Sequence, residues 1–458
     1  MEGLEISVVK LSEVIKSSYS SRWDSFYFQK EFLKDEKIFE TWESLENIAK
    51  IKSGTTPKER DETLKTGVVL LKTNDIRNNI LLDKGDDYFY ISEATNNEML
   101  SSQIESNDIL INIVGATTEV VGRVSFVPQN FKKANITQAM SFIRLTDSKY
   151  SPFFVFIFLQ TKYGLKQTRR IARPTGQYNI NNIELGSYKV PSVSDTFQSK
   201  IESMVKSAHA KLEESKSLYS QAEDLLLGEL GLKDWQPKNT LHTTKKFSDF
   251  AQSGRLDAEY YQPKYDDLFE KLSCLNCKRL GKIVSIKKSF DPGSDAYQET
   301  GIPFIRVSDI SKDGIEKTEL HLSPIDFDIP ELKPKKDTIL FSKDGSIGIA
   351  YKVQSDLNVF TSGALLHLVT TDSSILPDYL TLVLNSVVVK LQAERDSNGA
   401  IIQHWKPSDI ENVIIPILPE SIQKKIASLI QQSFECKAQS KQLLEDAKRM
   451  VETEIEKN

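Results

Sequence analysis

Few side chains in this sequence have the types and spacing that chemistry needs. Cys274 and Cys277 form a C-x-x-C pair, which is half of a zinc site. The other half is missing, because the third cysteine, Cys436, falls in a helical stretch. The five histidines (His209, His242, His321, His367 and His404) are scattered, with no H-E-x-x-H or triad spacing. We expect no metal site and no catalytic residues. Glu331-Leu332-Lys333, downstream of Asp326 and Asp328, has the residue types of a metal-dependent nuclease. It lies between Pro330 and Pro334, which argues against the central strand such a site needs. Gly345-Ser346-Ile347-Gly348 lacks the strand and helix that frame a phosphate loop, and Gly281-Lys282 has Asn276 where the upstream Gly should stand. No Pro-Pro dipeptide occurs, so an Asn/Asp-Pro-Pro-aromatic methyltransferase motif is absent.

What remains is binding chemistry. Residues 120–194 contain eleven Lys or Arg against two acids, a surplus of nine, whereas the whole chain carries −5. Lys162, Lys166, Arg169, Arg170 and Arg173 crowd together with no acid among them. Such a cluster is the electrostatic footprint of a phosphate backbone. Gln177 and Asn179 follow it, and amides can pair bidentately with adenine. Lys72, Thr73 and Asn74, with Lys132 and Lys133, complete the first set of DNA-binding candidates. Residues 345–419 hold four bases and seven acids, so the later candidates are individual: Arg306, Ser308, Lys343, Gln403 and Lys406. His404 is singled out because its segment, 399–406, matches 176–179.

The elements that must hold these residues come in two sets. Arg22-Trp23-Asp24-Ser25-Phe26-Tyr27-Phe28-Gln29 returns as Arg255-Leu256-Asp257-Ala258-Glu259-Tyr260-Tyr261-Gln262. Gly67-Val68-Val69-Leu70-Leu71-Lys72-Thr73-Asn74-Asp75-Ile76 returns as Gly301-Ile302-Pro303-Phe304-Ile305-Arg306-Val307-Ser308-Asp309-Ile310. Leu45…Pro57 matches Leu280…Pro292, and Asp108-Ile109-Leu110 resembles Asp337-Thr338-Ile339-Leu340. Pro191…Gln198…Ile201 matches Pro416…Gln423…Ile426. Collinear matches at nearly one offset, 225–235 residues, indicate a duplicated domain rather than a solenoid. In each half, Gly- and Pro-punctuated short strands (40–190 and 275–415) are interrupted by helical pieces (152–163 and 377–392). One long helix follows, 195–230 and 420–455, the first ending at Gly228.

The chain has 458 residues, 39% hydrophobic and 27% charged, which is ample for more than one core. Three cysteines fit a reducing compartment, and we expect a cytoplasmic protein. The opening Met1-Glu2-Gly3-Leu4-Glu5 does not resemble a signal peptide, and the longest apolar run, 153–159, is too short for a membrane span.

Both long helices carry apolar residues at steps of 3 and 4. The expected pairing positions are Phe197, Ile201, Met204, Leu218 and Leu225 against Ile422, Ile426, Leu429, Leu443 and Met450. The expected fold is α+β: two tandem β-rich domains, each followed by a long helix, the helices pairing as an antiparallel coiled coil with pseudo-two-fold symmetry. A helix of ~34 residues is ~50 Å long. That suits two readers on DNA half-sites about one turn, ~34–36 Å, or slightly more apart.

The layout resembles the specificity (S) subunit of type I restriction-modification systems. The resemblance rests on Lys52-Ser53-Gly54-Thr55-Thr56-Pro57, Lys72-Thr73-Asn74-Asp75-Ile76, Val114-Gly115-Ala116-Thr117, Thr175-Gly176-Gln177-Tyr178-Asn179 and Pro191…Gln198. In the second half it rests on Arg306-Val307-Ser308-Asp309-Ile310, Asp344-Gly345-Ser346-Ile347-Gly348, Asn398-Gly399-Ala400-Ile401 and Pro416…Gln423. The Gly-Thr-Pro turn is degraded at Lys288-Ser289-Phe290-Asp291-Pro292, and Thr196-Phe197-Gln198 lacks the usual acidic-Gln pair.

The resemblance implies an N-terminal segment (1–39), target-recognition domain 1 (40–194) and a central spacer helix (195–232). A linker (233–274), target-recognition domain 2 (275–418) and a C-terminal spacer helix (419–458) follow. It implies a non-catalytic subunit reading a bipartite asymmetric site on double-stranded DNA. Two modification (methyltransferase) subunits and restriction subunits would be its partners, and S-adenosylmethionine and ATP would belong to them rather than to this chain. The acidic total favours a second reading, a duplicated protein-interaction scaffold without DNA readout.

Overall fold

The computed structural model describes residues 7–17, 24–58, 61, 63–83, 88–174, 176–238, 240, 242–316, 318–327, 329–397 and 403–457. Asn398-Gly399-Ala400-Ile401, Asp328, Thr175, Arg22 and Trp23 lie outside them. The chain forms two compact units, Met1–Glu213 with Lys437–Asn458, and Glu214–Cys436.

The first unit is built on a five-stranded sheet. Its strands are β1 (Ala49–Ser53), β2 (Asn79–Ile80), β3 (Ile109–Asn112), β4 (Val124–Phe126) and β5 (Met140–Leu145), in the order β1-β5-β3-β4-β2. All four residues of β3 are buried, so both faces of the sheet are covered. Phe39 of helix α1 (Lys30–Phe39), Ile109, Ile111 and Ile143 share a core with helix α2 (Pro152–Leu159). Leu110 and Phe142 point the other way, into a core with Val69 and Ile136 of a second, three-stranded sheet. In that sheet Val68–Leu71 runs parallel to Ala134–Ile136.

The second unit repeats this plan. Strands β6 (Val284–Lys288), β7 (Ile339–Ser342), β8 (Ala350–Lys352) and β9 (Leu365–Thr370) pair in the order β6-β9-β7-β8. Ile302–Ile305 runs parallel to Phe360–Thr361, as 68–71 runs beside 134–136. The duplication read from the sequence is thus a duplication of topology.

Each expected helical piece divides in two. Helix α2 is followed by α3 (Lys162–Ile171); in the second unit α6 (Pro377–Asn385) is followed by α7 (Val387–Asp396), taking α4 and α5 as the helices between. Helix α4 is the long Asp195–Glu229, and α5 is Pro263–Ser273. Helix α8, Glu420–Lys457, is the second long helix. Gly228 lies inside α4; the left-handed residue that ends it is Gly231, at φ +67°, with Leu232 N–H on the Leu227 carbonyl. Among the described residues no helix is long and apolar enough to cross a membrane.

The long helices contribute to both units. In the first, Ile201, Val205 and Ala208 share a core with Ala447, Val451 and Ile455, and Ser440 Oγ donates to the Ala208 carbonyl at 2.7 Å. In the second, Ala222 and Leu226 share a core with Ile426 and Ile430, and Ser433 Oγ donates to the Ser215 carbonyl at 2.7 Å. The most buried stripe of α4 is Gln198, Ile201, Val205, Ala208, Ser215, Tyr219, Ala222 and Leu226. Of the expected positions, Ile201 and Ile426 are fully buried. Phe197, Met204, Leu443 and Met450 flank the first core, Leu225, Ile422 and Leu429 flank the second, and Leu218 is half-buried. One series of the seam is therefore displaced by a residue. The reason is that each helix also buries a flank against its β-rich domain, which Gln198 marks.

Candidate nucleic-acid interface

Two buried amides in each unit set the loops in place. Gln198 accepts from Ser151 N–H (2.7 Å) and donates to the carbonyls of Lys149 (2.8 Å) and Val193 (3.3 Å). Gln423 accepts from Leu376 N–H (3.0 Å) and donates to Ser374 (3.1 Å) and Leu418 (2.9 Å). The Pro…Gln motif thus ties the start of each long helix to its domain. Gln167 bonds both backbone groups of Lys189, and Gln392 both of Ile414, each within 3.0 Å. The sequence reading missed this second pair, although its spacing is the same 225 residues.

In the first unit the clamped scaffold gathers three loops. Lys72 N–H donates to Asp75 Oδ2 (2.8 Å), closing the turn that carries Thr73 and Asn74. Asn112 Nδ2 reaches the Thr73 carbonyl (3.1 Å) from the end of β3. The chain then continues into Val114–Gly115, which pairs with Tyr178–Asn179, itself paired to Arg173–Pro174. Lys72, Thr73, Asn74, Arg173, Gln177 and Asn179 therefore come to one loop cluster. Gln177 and Asn179 are exposed, and the Lys72 ammonium lies 3.9 Å from the Phe89 ring centre. Gly54 sits at the base of this region, where a Cβ would lie 2.2 Å from the carbonyl oxygens of Ile136 and Thr137.

The second unit gathers the matching loops. Arg306 N–H donates to Asp309 Oδ2 (2.9 Å), with Ser308 in the turn. Val307 and Ile349 pack on one small core with Ile305, Ile310 and Leu365, placing this turn beside the 345–348 loop. Gly345 N–H donates to Gln403 and Trp405 N–H to Lys343, at 2.9 and 2.8 Å. Asp344 and His404 face each other across this bridge, His404 Nδ1 lying 2.8 Å from Asp344 Oδ1. Lys343 pairs with the same carboxylate. Trp405 is buried against Phe341, and exposed Lys406 stands just before the helix that follows.

Ser289 takes the place of Gly54 here and donates its hydroxyl to the Thr361 carbonyl, while Asp291 accepts from Gly363 N–H (2.9 Å). A Cβ on Gly363 would meet Asp291 Oδ2 at 2.4 Å. The turn that reads as degraded is a rebuilt one, in which Asp291 is held by the backbone of Gly363 on the opposite side.

The basic cluster on α3 is not a free patch. Lys166 pairs with Asp35 (2.8 Å), Arg169 with Glu31 (3.7 Å) and Arg170 with Glu36 (2.6 Å), all on helix Lys30–Phe39. Lys162 pairs with Glu456, and Arg173 with Glu184. Lys132 and Lys133 pair with Asp83 and Glu93 at 2.8 and 2.7 Å. Arg170 is the clearest correction: its side chain is 11% exposed, donates to the Tyr27 carbonyl and stacks 4.1 Å from the Tyr27 ring centre. Arg395 stacks on Tyr260 in the same way (5.0 Å). Counting charge in a sequence window leaves out carboxylates that the fold brings from elsewhere.

Of the residues with catalytic types, the sulfurs of Cys274 and Cys277 lie against the carbonyls of Glu270 and Leu272, and Glu331 sits in a single 3-10 turn, Pro330–Leu332. Burial raises the Cys277 thiol pKa, which disfavours the thiolate.

Residues 276–449 match the family model described as type I restriction modification DNA specificity domain. Among curated proteins, the chain is similar to the type I restriction enzyme MjaIX specificity subunit of Methanocaldococcus jannaschii, at 30% identity over 34% of this chain and 37% of that one. It is also similar to the EcoBI specificity subunit of Escherichia coli, at 27% identity over 31% and 30% of the two chains. The chain thus spans about a third of the length of these relatives. Among solved structures it is similar to the type I restriction-modification S subunit from M. genitalium, at 15% identity over 91% and 94% of the chains, with a TM-score of 0.39.

Proposed function

We propose, on the premise that this chain is a member of the type I restriction-modification specificity family, that it is the non-catalytic DNA-reading subunit of such a complex. Each unit reads one half of a bipartite, asymmetric site on double-stranded DNA. The observation that carries the reading is the loop cluster built twice on one topology with different exposed residues: Lys72, Asn74, Gln177 and Asn179 in one unit, Arg306, Ser308, Gln403 and His404 in the other. Polar side chains of this kind specify sequence, while Lys and Arg fix position on phosphates. A repeated scaffold with altered loop residues is what two unlike half-sites require.

The long helices pair antiparallel as a coiled coil with pseudo-two-fold symmetry. Support comes from the serine bonds, in which seven residues forward on α4, from Ala208 to Ser215, correspond to seven backward on α8, from Ser440 to Ser433. The pair sets half-site spacing and docks two methyltransferase subunits, with restriction subunits joining that assembly. S-adenosylmethionine and ATP belong to those partners, and the compartment is the cytoplasm. We place the two target-recognition domains at 40–194 and 275–418.

The test is methylome sequencing of cells with and without the gene. Loss of one bipartite modified motif is the expected result. A purified complex that methylates DNA without sequence preference would overturn the reading. The internal ion pairs of α3 keep the scaffold reading in view, and unchanged methylation alongside a protein-only partner would favour it.

A further inference from the structure

We propose that His404 is a specificity-determining residue of the second unit, its Nε2 accepting a hydrogen bond from an exocyclic amino group of adenine or cytosine. The proposal rests on the reading that this unit meets DNA. An ionised carboxylate only accepts, so the 2.8 Å contact to Asp344 Oδ1 requires His404 Nδ1 to carry the proton. In the neutral imidazole Nε2 then keeps its lone pair, directed away from Asp344. Lys343, whose side chain is 12% exposed, pairs with the same carboxylate and balances its charge. The ring orientation, and in the neutral imidazole the tautomer, are set by Asp344. Its side chain is nevertheless 62% exposed. A polar group that is oriented from behind and open in front is arranged for an external partner. On a base edge, adenine N6 and cytosine N4 are the groups that donate.

The first unit supplies the contrast. Asn179 stands 225 residues before His404 and faces Val114 in the same bridge in which His404 faces Asp344. Asn179 has Val114 on one side and Arg173 on the other, so no carboxylate faces its amide there, whereas Asp344 fixes the imidazole. The two units therefore differ at one structural position in both the reading group and its support, which suits two different bases.

The experiment uses the full chain in complex with its methyltransferase partners on a randomised duplex library. His404→Phe keeps the ring and removes the acceptor. The expected result is about 10- to 100-fold lost discrimination at a single position of one half-site, with the other half-site and the salt slope unchanged. Asp344→Asn, which also allows the other tautomer, should relax the same position by a smaller factor. Affinity falling equally for every sequence, with a shallower salt slope, would mean a phosphate contact and overturn the proposal. Unchanged preference in both variants would make His404 a packing residue and overturn it as well. A wild-type complex without any preferred sequence would instead sink the underlying reading, and the proposal with it.

Discussion

Gln198 and Gln423, 225 residues apart, make the same three hydrogen bonds: one accepted from the N–H at the start of a helix, two donated to loop carbonyls. Both side chains are buried, at 6% and 1% exposure. Gln198→Ala and Gln423→Ala each leave three backbone groups without partners, at about 1–3 kcal/mol for each that water cannot reach. We expect each variant to lose about 2–4 kcal/mol in chemical denaturation and each loss to be confined to its own unit. Hydrogen exchange localises the loss, and protection falling equally in both units would contradict the account.

Charge on α3 separates structure from binding. Arg170→Ala removes a stack on Tyr27 and the pair with Glu36, so stability should drop while the salt dependence of DNA binding stays the same. Lys72→Ala, in the loop cluster, should lower the slope of log K against log salt by about one unit per lost phosphate contact. Titrations at several salt concentrations distinguish the two, and a slope that falls with Arg170 and not with Lys72 would reverse the assignment.

His367 makes stability depend on pH. It is 6% exposed and bonded to Thr361, and desolvation, with Lys287 nearby, lowers its pKa to about 4 from an ordinary 6.5. Between those values the unfolded chain takes up a proton that the folded chain refuses. Stability is full above pH ~7, falls as pH drops from about 6.5 to about 4, and levels off below, a loss of order 3 kcal/mol. His367→Gln should flatten that segment of the pH profile of denaturation midpoints. An unchanged difference between pH 7 and pH 4 would count against it.

The serines between the long helices admit only small side chains. Ser433→Ala forfeits the bond to the Ser215 carbonyl and should cost about 1 kcal/mol. Ser433→Leu adds volume at a site 4% exposed and should cost about 1–3 kcal/mol through strain. Equal stability of the Leu variant and the wild type would mean that the helices are not held closely there.

Much of this was legible in advance. The repeat at 225–235 residues, the short strands, the two long helices and the loops carrying Lys72–Asn74 and Gln177–Asn179 follow from local pattern: alternating apolar residues, glycine punctuation and 3–4 spacing. The Pro…Gln motif was visible as a repeat, but its meaning was not, because a buried amide is defined by carbonyls from distant loops. Of the expected seam positions only Ile201 and Ile426 are fully buried, and on α4 the buried Gln198, Val205, Tyr219 and Leu226 lie one residue on from Phe197, Met204, Leu218 and Leu225, because sequence periodicity cannot tell a face turned to a partner helix from a flank turned to a sheet.

The sequence by itself determined that one domain is used twice, with a long helix after each copy, since these are properties of neighbours along the chain. Only the tertiary structure decided which charges are available. The surplus of nine on 120–194 meets Glu31, Asp35, Glu36 and Glu456 in space, and Lys343 and His404 meet at Asp344. Coulomb energy depends on distance through space, and separation along the chain says little about it.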